Sequence, residues 1–510
     1  FQNPTSSGSQ TIAANFGQQG FTYTPPTDFK ALNSANLPDP TILLPNKHFD
    51  TLLYTGNGGT QSITGLDYQP DWVWIKRRNG TNSHQVYDAV RGAGKNIRPD
   101  LNNTEVDQTA FNSFDSNGFE LDGGTNSHNS SGNTYVAWNW NAGNTDGKTY
   151  TVKVVSDGGN KYRFDDFGTS AVTLDLAEGG TYIFDGSDSS MASHPIKLSE
   201  TSNGTHGGGS SYNTGVTYLL DGASVTESAY VSGYASATTR QLKIVVAASA
   251  PTLYYYCHYH SGMGGQANTN STLGSSNFDG TIQSVTKVNA SAGFSIAKYT
   301  GTGSNGTIGH GLGVKPDSYW VKRRTGGLGD WMVFHKDLGS TKNQRLNENL
   351  SNFTQATIWN NTDPTSSVVN VGTSSAVNGT ASGSTYVMYC FSEVAGYSKF
   401  GSYAANGNSS DGPFVFLGFR PAWIMFKSIT GTGQDWIIHD IKRDDVNYMY
   451  KRLKPNNNTV ENTSSTTTAR VDFLSNGFKV RGNGNLIGAS GKTYIYFAFA
   501  ESPFKNARAR

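Results

Sequence analysis

The residues with the clearest chemical potential lie in the segment YYYCHYHSGMGG, residues 254–265. It holds one of only 2 cysteines in the chain, and Cys257, His260 and Met263 follow each other in a C-x2-H-x2-M pattern. A thiolate is soft and an imidazole borderline, so both tolerate Cu(I) and Cu(II), while a thioether is a typical weak axial ligand of copper. The pattern therefore indicates either a soft-metal site or a packed turn that happens to contain a cysteine.

Three side chains of one short loop meet at a point only if the loop turns back sharply. Gly262, Gly264 and Gly265 provide the necessary conformational freedom, and the three tyrosines before the cysteine provide a strand that anchors the loop. His258 directly follows the cysteine and points to the opposite face of an extended strand. We therefore expect His258 to be in solvent rather than among the ligands.

The segment from about residue 144 to 290 resembles a cupredoxin, the Greek-key β-sandwich of the small blue copper proteins. The resemblance rests on strand-like runs in the order YTVKVV, AVTLDLAEGGTYIFD, SHPIKLSE, RQLKIVVAAS and TLYYYCHYHSGMGG. In that family a first histidine ligand follows an x-G-x-x-Y-x-F element, here GGTYIFD, and the other ligands share one loop. The resemblance implies a copper site made of His194, Cys257, His260 and Met263. Domains of this kind often keep the fold without the metal, so occupancy is a separate question.

The rest of the chain contains three related segments. They share strand-like motifs such as PDWVWIKRR, PDSYWVKRR and PAWIMFKS, each opened by a proline, at Pro70, Pro316 and Pro421. A second motif, S-G-x-T-Y, begins at Ser131, Ser382 and Ser490. Copies one and two are separated by roughly 140 more residues than copies two and three, so the segment with the candidate metal loop is an insertion.

Composition indicates an all-β protein. Gly accounts for 60 residues and aromatic residues for 12%, which suits many short strands joined by tight turns. We predict tandem, jelly-roll-like β-sandwich modules plus one cupredoxin-like β-sandwich, four modules in a row. The predicted boundaries are 46–143, 291–397 and 398–510 for the three repeats, and 144–290 for the inserted domain with its linker.

Charge and cysteine content exclude several classes. Charged residues make up 15% of the chain and the net charge is +1, which predicts neither a nucleic-acid groove nor a surface for anionic lipid. No apolar run approaches the roughly 20 residues of a membrane-spanning helix. Two cysteines cannot form a disulfide framework. The start, FQNPTSSG, suggests the middle of a longer protein or a processed terminus.

Two further groups of residues in the repeats allow chemistry. Histidines follow the middle strand at similar offsets, each with an aspartate nearby: His84 with Asp88, His335 with Asp337, and His439 with Asp440. They are either strand-edge histidines bonded to their aspartates or ligand-contacting His–Asp pairs. Cys390 corresponds to Asn139 and Ala498 in the other copies, so we predict that it serves packing.

The repeats resemble those of large virion proteins of marine podoviruses that infect cyanobacteria and related plankton. The resemblance rests on YTGNG, PDWVWIKRR, YDAVRGAGK, FDSNGFEL, SGNTYVAWNW and NFDGTIQSVTKVNASAGFSI. Residues 1–45 resemble the end of a SPRY/concanavalin-like domain of the same proteins. The resemblance implies an extracellular virion appendage, either a tail fibre, a spike or a capsid fibre. Copies two and three lack the VRGAGK continuation, so a site in copy one need not recur in them.

We therefore expect a structural and adhesive appendage protein, a homo-oligomer bound to other virion subunits that attaches to a cell-surface glycan. Exposed aromatic side chains would stack on sugars, although Trp72, Trp74, Trp138 and Trp140 alternate along strands, so more than half of them are expected in the core. A secreted bacterial adhesin or copper-binding protein is the alternative. A polysaccharide-degrading enzyme is less well supported, because we find no paired acidic motif for glycoside hydrolysis.

Overall fold

The structure is a computed structural model. It describes residues 23, 24, 26, 36, 37, 39–143, 147–269, 274–380, 383–431 and 433–506. Most of the segment predicted to end a SPRY/concanavalin-like domain, and Ser382 of the second repeat, lie outside the described residues. Within the described part, no helix is both long and apolar enough to cross a bilayer.

Repeat 1 consists of short strands. They are Phe49–Thr55 (β1), Gln61–Thr64 (β2), Trp72–Arg77 (β3), Gln85–Asp88 (β4), Lys95–Asn96 (β5), Val106–Asp107 (β6), Phe111–Asp115 (β7), Gly118–Leu121 (β8) and Thr134–Trp140 (β9). The inserted domain follows. Its elements are Gly147–Ser156 (β10), Asn160–Phe164 (β11), Leu174–Asp175 (β12), Thr181–Asp185 (β13), Ile196–Ser199 (β14), Val216–Leu220 (β15), Ala223–Val225 (β16), Glu227–Gly233 (α1), Arg240–Val245 (β17), Leu253–Cys257 (β18) and Gly265–Asn268 (β19).

Repeats 2 and 3 complete the chain. Repeat 2 and the linker before it contain Ser275–Asn277 (β20), Ser284–Asn289 (β21), Phe294–Thr300 (β22), Gly306–Gly309 (β23), Ser318–Arg323 (β24), Met332–His335 (β25), Lys342–Arg345 (β26), Phe353–Thr354 (β27), Ala356–Trp359 (α2), Val368–Val371 (β28), Ser375–Asn378 (α3) and Thr385–Phe391 (β29). Repeat 3 contains Ser398–Ala404 (β30), Phe414–Phe416 (β31), Phe419–Ser428 (β32), Ile437–Asp440 (β33), Val471–Leu474 (β34), Gly477–Val480 (β35) and Thr493–Pro503 (β36). Single 3-10 turns occupy Pro45–Lys47, Ser189–Met191, Gly204–Gly207, Ala290–Ala292 and Phe504–Asn506.

The three repeats have the same antiparallel sheet. Its strand order is β1-β9-β3-β4 in repeat 1, β22-β29-β24-β25 in repeat 2 and β30-β36-β32-β33 in repeat 3. A smaller sheet accompanies each one, with the orders β2-β8-β7, β23-β28 and β31-β35-β34. In repeat 2 the large sheet is extended by β20 and β21 on one side and by β26 and β27 on the other. The prediction of an all-β protein built from repeated β-sandwiches is confirmed.

The sequence predicts modules that stand in a row, but the structure differs. The large sheets of the three repeats pack together around a single core. One cluster of buried residues contains side chains from all three repeats. The Trp72 ring stacks on Tyr389 with centroids 4.7 Å apart, and Trp320 meets Phe497 at 5.5 Å. The Trp140 ring of repeat 1 contacts the Trp423 ring of repeat 3, with centroids 5.8 Å apart, so each repeat contacts both of the others. The repeats therefore form one closed body with approximate threefold symmetry.

Hydrogen bonds between repeats follow the same cycle. The residue just before the fourth strand of each sheet binds a backbone carbonyl of another repeat. Trp331 donates to Arg98 O and Trp436 to Arg345 O, both at 2.9 Å, and His84 Nε2 lies 3.0 Å from Lys454 O. These contacts join repeat 2 to 1, 3 to 2 and 1 to 3, so each repeat is held by both of the others.

Buried acidic residues add ion pairs at two of these junctions. The Glu105 carboxylate of repeat 1 accepts hydrogen bonds from Arg324 of repeat 2 at 2.8 and 2.9 Å, and from Arg91 of its own repeat at 2.9 Å. Glu461 of repeat 3 binds Arg78 of repeat 1 and Arg443 in the same way. At the third junction, between repeats 2 and 3, Asn352 donates to Ile429 O at 2.8 Å.

The tryptophans and the predicted His–Asp pairs differ from expectation. Trp72, Trp74, Trp138 and Trp140 are all at most 1% exposed, so they build the core and do not form a stacking surface for sugars. The histidines are buried, and the aspartates that were expected to pair with two of them bind other groups. These partners are Arg91 and Tyr389 for Asp88, and Arg443 and Trp138 for Asp440. In the third pair, it is the backbone N–H of Asp337, and not its carboxylate, that bonds to the histidine, by donating to His335 Nδ1.

Cys390 lies in the core of repeat 2. It is fully buried in β29, and burial raises the pKa of its thiol. The prediction that this cysteine serves packing is confirmed.

The inserted domain has its own core between two sheets, of strand order β11-β10-β13-β17-β15-β16 and β12-β19-β18-β14. It docks on the edge of repeat 2 through β20, where Tyr150 Oη donates to Ser276 O at 2.9 Å, and Phe278 joins the core of the insert. The two connections of the insert to the body meet, since Asn289 Nδ2 donates to Asn141 O at 3.1 Å.

Candidate metal centre

The main chain of His194 is hydrogen-bonded at both its N–H and its carbonyl group. It follows the 3-10 turn Ser189–Met191, which is capped by Asp188, whose side chain accepts from Ser190 N. The His194 N–H donates to Met191 O at 2.8 Å, and Tyr162 Oη donates to His194 O at 2.9 Å. These bonds fix the main chain from which the imidazole projects.

Strand pairing brings Cys257 to this histidine. Cys257 ends β18, and its partner in the antiparallel ladder is Ile196, the first residue of β14. The His258 N–H then donates to Pro195 O at 2.9 Å, which continues the pairing beyond the strand. His194 and Cys257, 63 positions apart in the sequence, are therefore neighbours because of the register of one strand pair.

The loop after Cys257 returns tightly to the sheet. Gly262 has a φ of +74°, which favours glycine, and a Cβ atom on Gly264 would lie 1.7 Å from the carbonyl oxygen of Tyr255. Asn203, from a distant turn, accepts from Gly262 N at 2.8 Å and donates to Ser261 Oγ at 2.9 Å. The predicted use of glycine in this loop is thus realised, and a second segment holds the loop in place.

The donor atoms of His194, Cys257 and His260 converge. Cys257 Sγ lies 3.8 Å from His194 Nδ1 and 3.6 Å from His260 Nδ1, and the three donor atoms all lie within 4.8 Å of one another. Metal–sulfur and metal–nitrogen bonds of about 2.3 and 2.0 Å separate sulfur from nitrogen by about 3.5–3.7 Å at tetrahedral or trigonal angles. The separations in the structure fit a single ion bound by all three groups.

The three residues of this His–Cys–His cluster differ in solvent exposure. Cys257 is fully buried, His194 is 8% exposed and His260 is exposed at the surface. Burial, with the nearby His260, lowers the pKa of His194, which favours the neutral imidazole that binds metals. Met263 is buried in the same hydrophobic core as Cys257. The Cys257 thiol is thus shielded from solvent, whereas His260 is exposed to solvent.

His258 lies outside the His–Cys–His cluster, but it is half-buried rather than in solvent, and burial lowers its pKa. Several supporting residues were not found from the sequence. His206 Nε2 lies 3.1 Å from Cys257 O, and the Lys161 ammonium donates to Gly262 O. His206 and the loop-binding Asn203 belong to the stretch SNGTHGGG, whose N-G pair signals a turn but nothing about its position in space.

The fold and this site define an all-β protein with a closed three-repeat body and an inserted domain that carries a His–Cys–His cluster. The chain belongs to a family described as a domain of unknown function (DUF7483), which matches residues 44–165 and 267–503. No curated protein and no solved structure matches the chain. His194, Cys257, His260 and Met263 all lie between the two matched segments, so the cluster belongs to the part of the insert that the family does not cover.

Proposed function

We propose that this protein binds one copper ion through His194, Cys257 and His260, with Met263 as a weak fourth ligand. The observation that carries the proposal is the convergence of one sulfur and two nitrogen donors at separations of 3.6 and 3.8 Å. Bound copper supplies an intense thiolate-to-metal absorption and access to two oxidation states. Zinc takes the same donor types, but a methionine three residues after the second histidine, buried in the same core as the cysteine, favours copper.

The residues around the cluster support binding in defined ways. Complete burial of Cys257 protects the thiolate from the oxidation that an exposed one would undergo outside a cell. Asn203 and the main-chain bonds of His194 fix the ligand segments before any ion arrives. The ion would tie the loop to β14. We propose this local stiffening, rather than an electron-transfer circuit, as the role of the site.

Copper titration tests the proposal. We expect the metal-free protein to turn intensely blue with one equivalent of Cu(II) and to gain thermal stability, because a ligand that binds only the folded state raises it. Cys257→Ser removes the colour and leaves the protein folded, since the core of the insert is built from its strands. Cys390→Ala, which changes the other cysteine, keeps the colour.

Two results bear directly on the choice of metal. Protein that stays colourless with Cu(II) and gains no stability with either Cu(II) or Zn(II) contradicts metal binding at this site. Protein that gains stability with Zn(II) but stays colourless with Cu(II) contradicts copper and supports a zinc site instead.

We further propose that the protein is an extracellular structural and adhesive component of a virion appendage, without enzymatic activity of its own. The proposal rests on the resemblance of the repeat motifs to those of podoviral virion proteins. A closed body tied by side chains at every junction is also suited to bearing load. A homo-oligomer attached to other virion subunits is the expected assembly. A secreted bacterial adhesin or copper-binding protein is the alternative.

The location of the protein distinguishes a virion appendage from a secreted bacterial protein. We expect mass spectrometry of gradient-purified virions to detect this chain, and antibodies against the body to label fibres or spikes on the particles. Labelling of bacterial surfaces with none on particles contradicts the virion proposal and favours the bacterial adhesin.

A further inference from the structure

A cleft separates the inserted domain from repeat 2 and is bordered by both. Its volume is about 580 Å³, within the range of small-molecule sites. Thr169, Thr173 and Asp175 border it from the insert, and Lys298, Thr300 and Arg324 from repeat 2. The domains are fastened together beside the cleft, where Asp175 N donates to Ser276 Oγ at 2.8 Å, so both walls are held in position.

The two cations of the cleft differ in what neutralises them. Arg324 makes two hydrogen bonds to the Glu105 carboxylate and is already paired. Lys298 is half-buried in β22, where its main chain pairs with β21 and β29. Within the described part of the chain its side-chain ammonium has neither a hydrogen bond nor an ion pair. Burial lowers the pKa of Lys298, and the charges of Asp175, Asp88 and Glu105 oppose this without cancelling it. The cleft thus contains a cation without a direct counter-ion.

The other repeats show that this lysine is not required by the fold. In the pairing of the first strand with the last, Lys298 stands opposite Val387, and its equivalents are Leu53 opposite Val136 and Ser402 opposite Ile495. A lysine occupies the position only in the repeat that faces the inserted domain. Packing of the shared sheet tolerates an apolar or a small polar side chain there, so the charge calls for another explanation.

We propose that this cleft binds an acidic saccharide, with a carboxylate or sulfate of the sugar on Lys298 and its hydroxyls on the threonines. Threonine hydroxyls both donate and accept, as sugar hydroxyls do, and Phe167 and Ile282 add apolar surface for the sugar ring. An ammonium pairs with an anionic oxygen more strongly than with a neutral one. The inference rests on the proposed attachment role and names its ligand class and site.

Binding of defined oligosaccharides to the full chain tests the inference. Calorimetry with trigalacturonate and with a sulfated galactose trisaccharide is expected to show saturable binding, and neutral maltotriose none. Lys298→Met removes the charge but keeps most of the aliphatic stem, and we expect it to weaken binding of the acidic sugars about tenfold. Lys315→Met changes an exposed lysine of the same repeat, paired with Asp363, and leaves binding unchanged.

A second variant tests the opposite wall. Thr169→Val changes an exposed threonine of the insert and is expected to weaken binding while the circular dichroism spectrum stays native. Absence of saturable binding by the native chain overturns the inference. So does equal affinity of the native chain and Lys298→Met, in which case the attachment role stands but its site lies elsewhere. Detection of the chain on virions is a separate measurement that neither result changes.

Discussion

Replacing Glu105 by glutamine is predicted to destabilise all three repeats together, although it changes one side chain of repeat 1. Glu105 is the acid that joins Arg91 of its own repeat to Arg324 of repeat 2, and its side chain is only 8% exposed. Glutamine keeps the shape but removes the charge, so two guanidinium groups, one of them fully buried, lose their shared counter-ion. Since the repeats share one core, we expect the loss to be felt by the whole body.

The magnitude follows from the electrostatics of the carboxylate. Burial alone would raise the pKa of Glu105, but hydrogen bonds from Arg324 and the charge of Arg91 lower it from 4.5 to about 2. That difference corresponds to about 3 kcal/mol in favour of the charged form. Removing one partner of a buried ion pair typically costs about 3–5 kcal/mol. We therefore predict a loss of about 3 kcal/mol in the free energy of unfolding of the body.

Tryptophan fluorescence gives a selective assay. All 9 tryptophans lie in the repeats and none in the inserted domain, so urea unfolding followed by fluorescence reports the body alone. The native protein is expected to show one cooperative transition. Glu105→Gln and its symmetry-related variant Glu461→Gln shift that transition by similar amounts. Asp107→Asn, which breaks a pair with Lys95 that is 80% exposed on the acid side, changes stability by less than about 0.5 kcal/mol.

Separate unfolding of the three repeats would contradict this prediction. Two or three fluorescence transitions in the native protein, of which Glu105→Gln moves only one, would mean that the shared core does not make the body a cooperative unit. A shift as small as that of Asp107→Asn would instead mean that the ion pair contributes little.

Three further predictions concern the loop, the axial ligand and two buried lysines. Gly264→Ala is expected to abolish the blue copper colour without moving the fluorescence transition, because its Cβ collides with a carbonyl oxygen of β18 in the inserted domain alone; unchanged colour would contradict this. Met263→Leu is expected to keep the fold and the colour but shift the absorption band, checked by visible spectroscopy against the native protein. Burial lowers the pKa of Lys322 and of Lys427 from 10.5 to about 7. Between those values the unfolded chain binds more protons than the folded one, so the free energy of unfolding should rise from pH 7 to 9. Urea midpoints at the two pH values check this, Lys322→Met should reduce the rise, and a fall in stability would contradict it.

The loop after Cys257 could be predicted as a candidate site because its cysteine, histidine and methionine are close in the sequence. Cys257, His260 and Met263 share one turn, and the glycines around them have a local reason that sequence alone makes visible. His194 required a resemblance, since only strand register places it beside the cysteine. Asn203 and His206 could not be found, because a turn signal does not tell which distant loop the turn contacts.

The arrangement of the repeats could not be predicted for a related reason. Alternating aromatic residues indicate that one face of each strand is buried, but they do not tell what covers that face. A sandwich partner within the repeat and a neighbouring repeat satisfy the pattern equally well. The tryptophan-rich motif WVWIK contributes to both, since Trp72 packs in the shared core and Val73 in the core of repeat 1 alone. A lone domain would have left the Trp72 face uncovered, and only the three-dimensional structure reveals the neighbour.

The meeting of Asn141 and Asn289 has a consequence for how such a chain diversifies. The polypeptide leaves the body and re-enters it at nearly the same place. A different domain could therefore be inserted there without changing the order or pairing of the strands of the body. The family match omits about a hundred residues within the insert, and these hold the His–Cys–His cluster. The body thus provides an insertion site at which evolution or protein engineering could replace the inserted domain, and with it the functional site, while the fold of the three repeats stays the same.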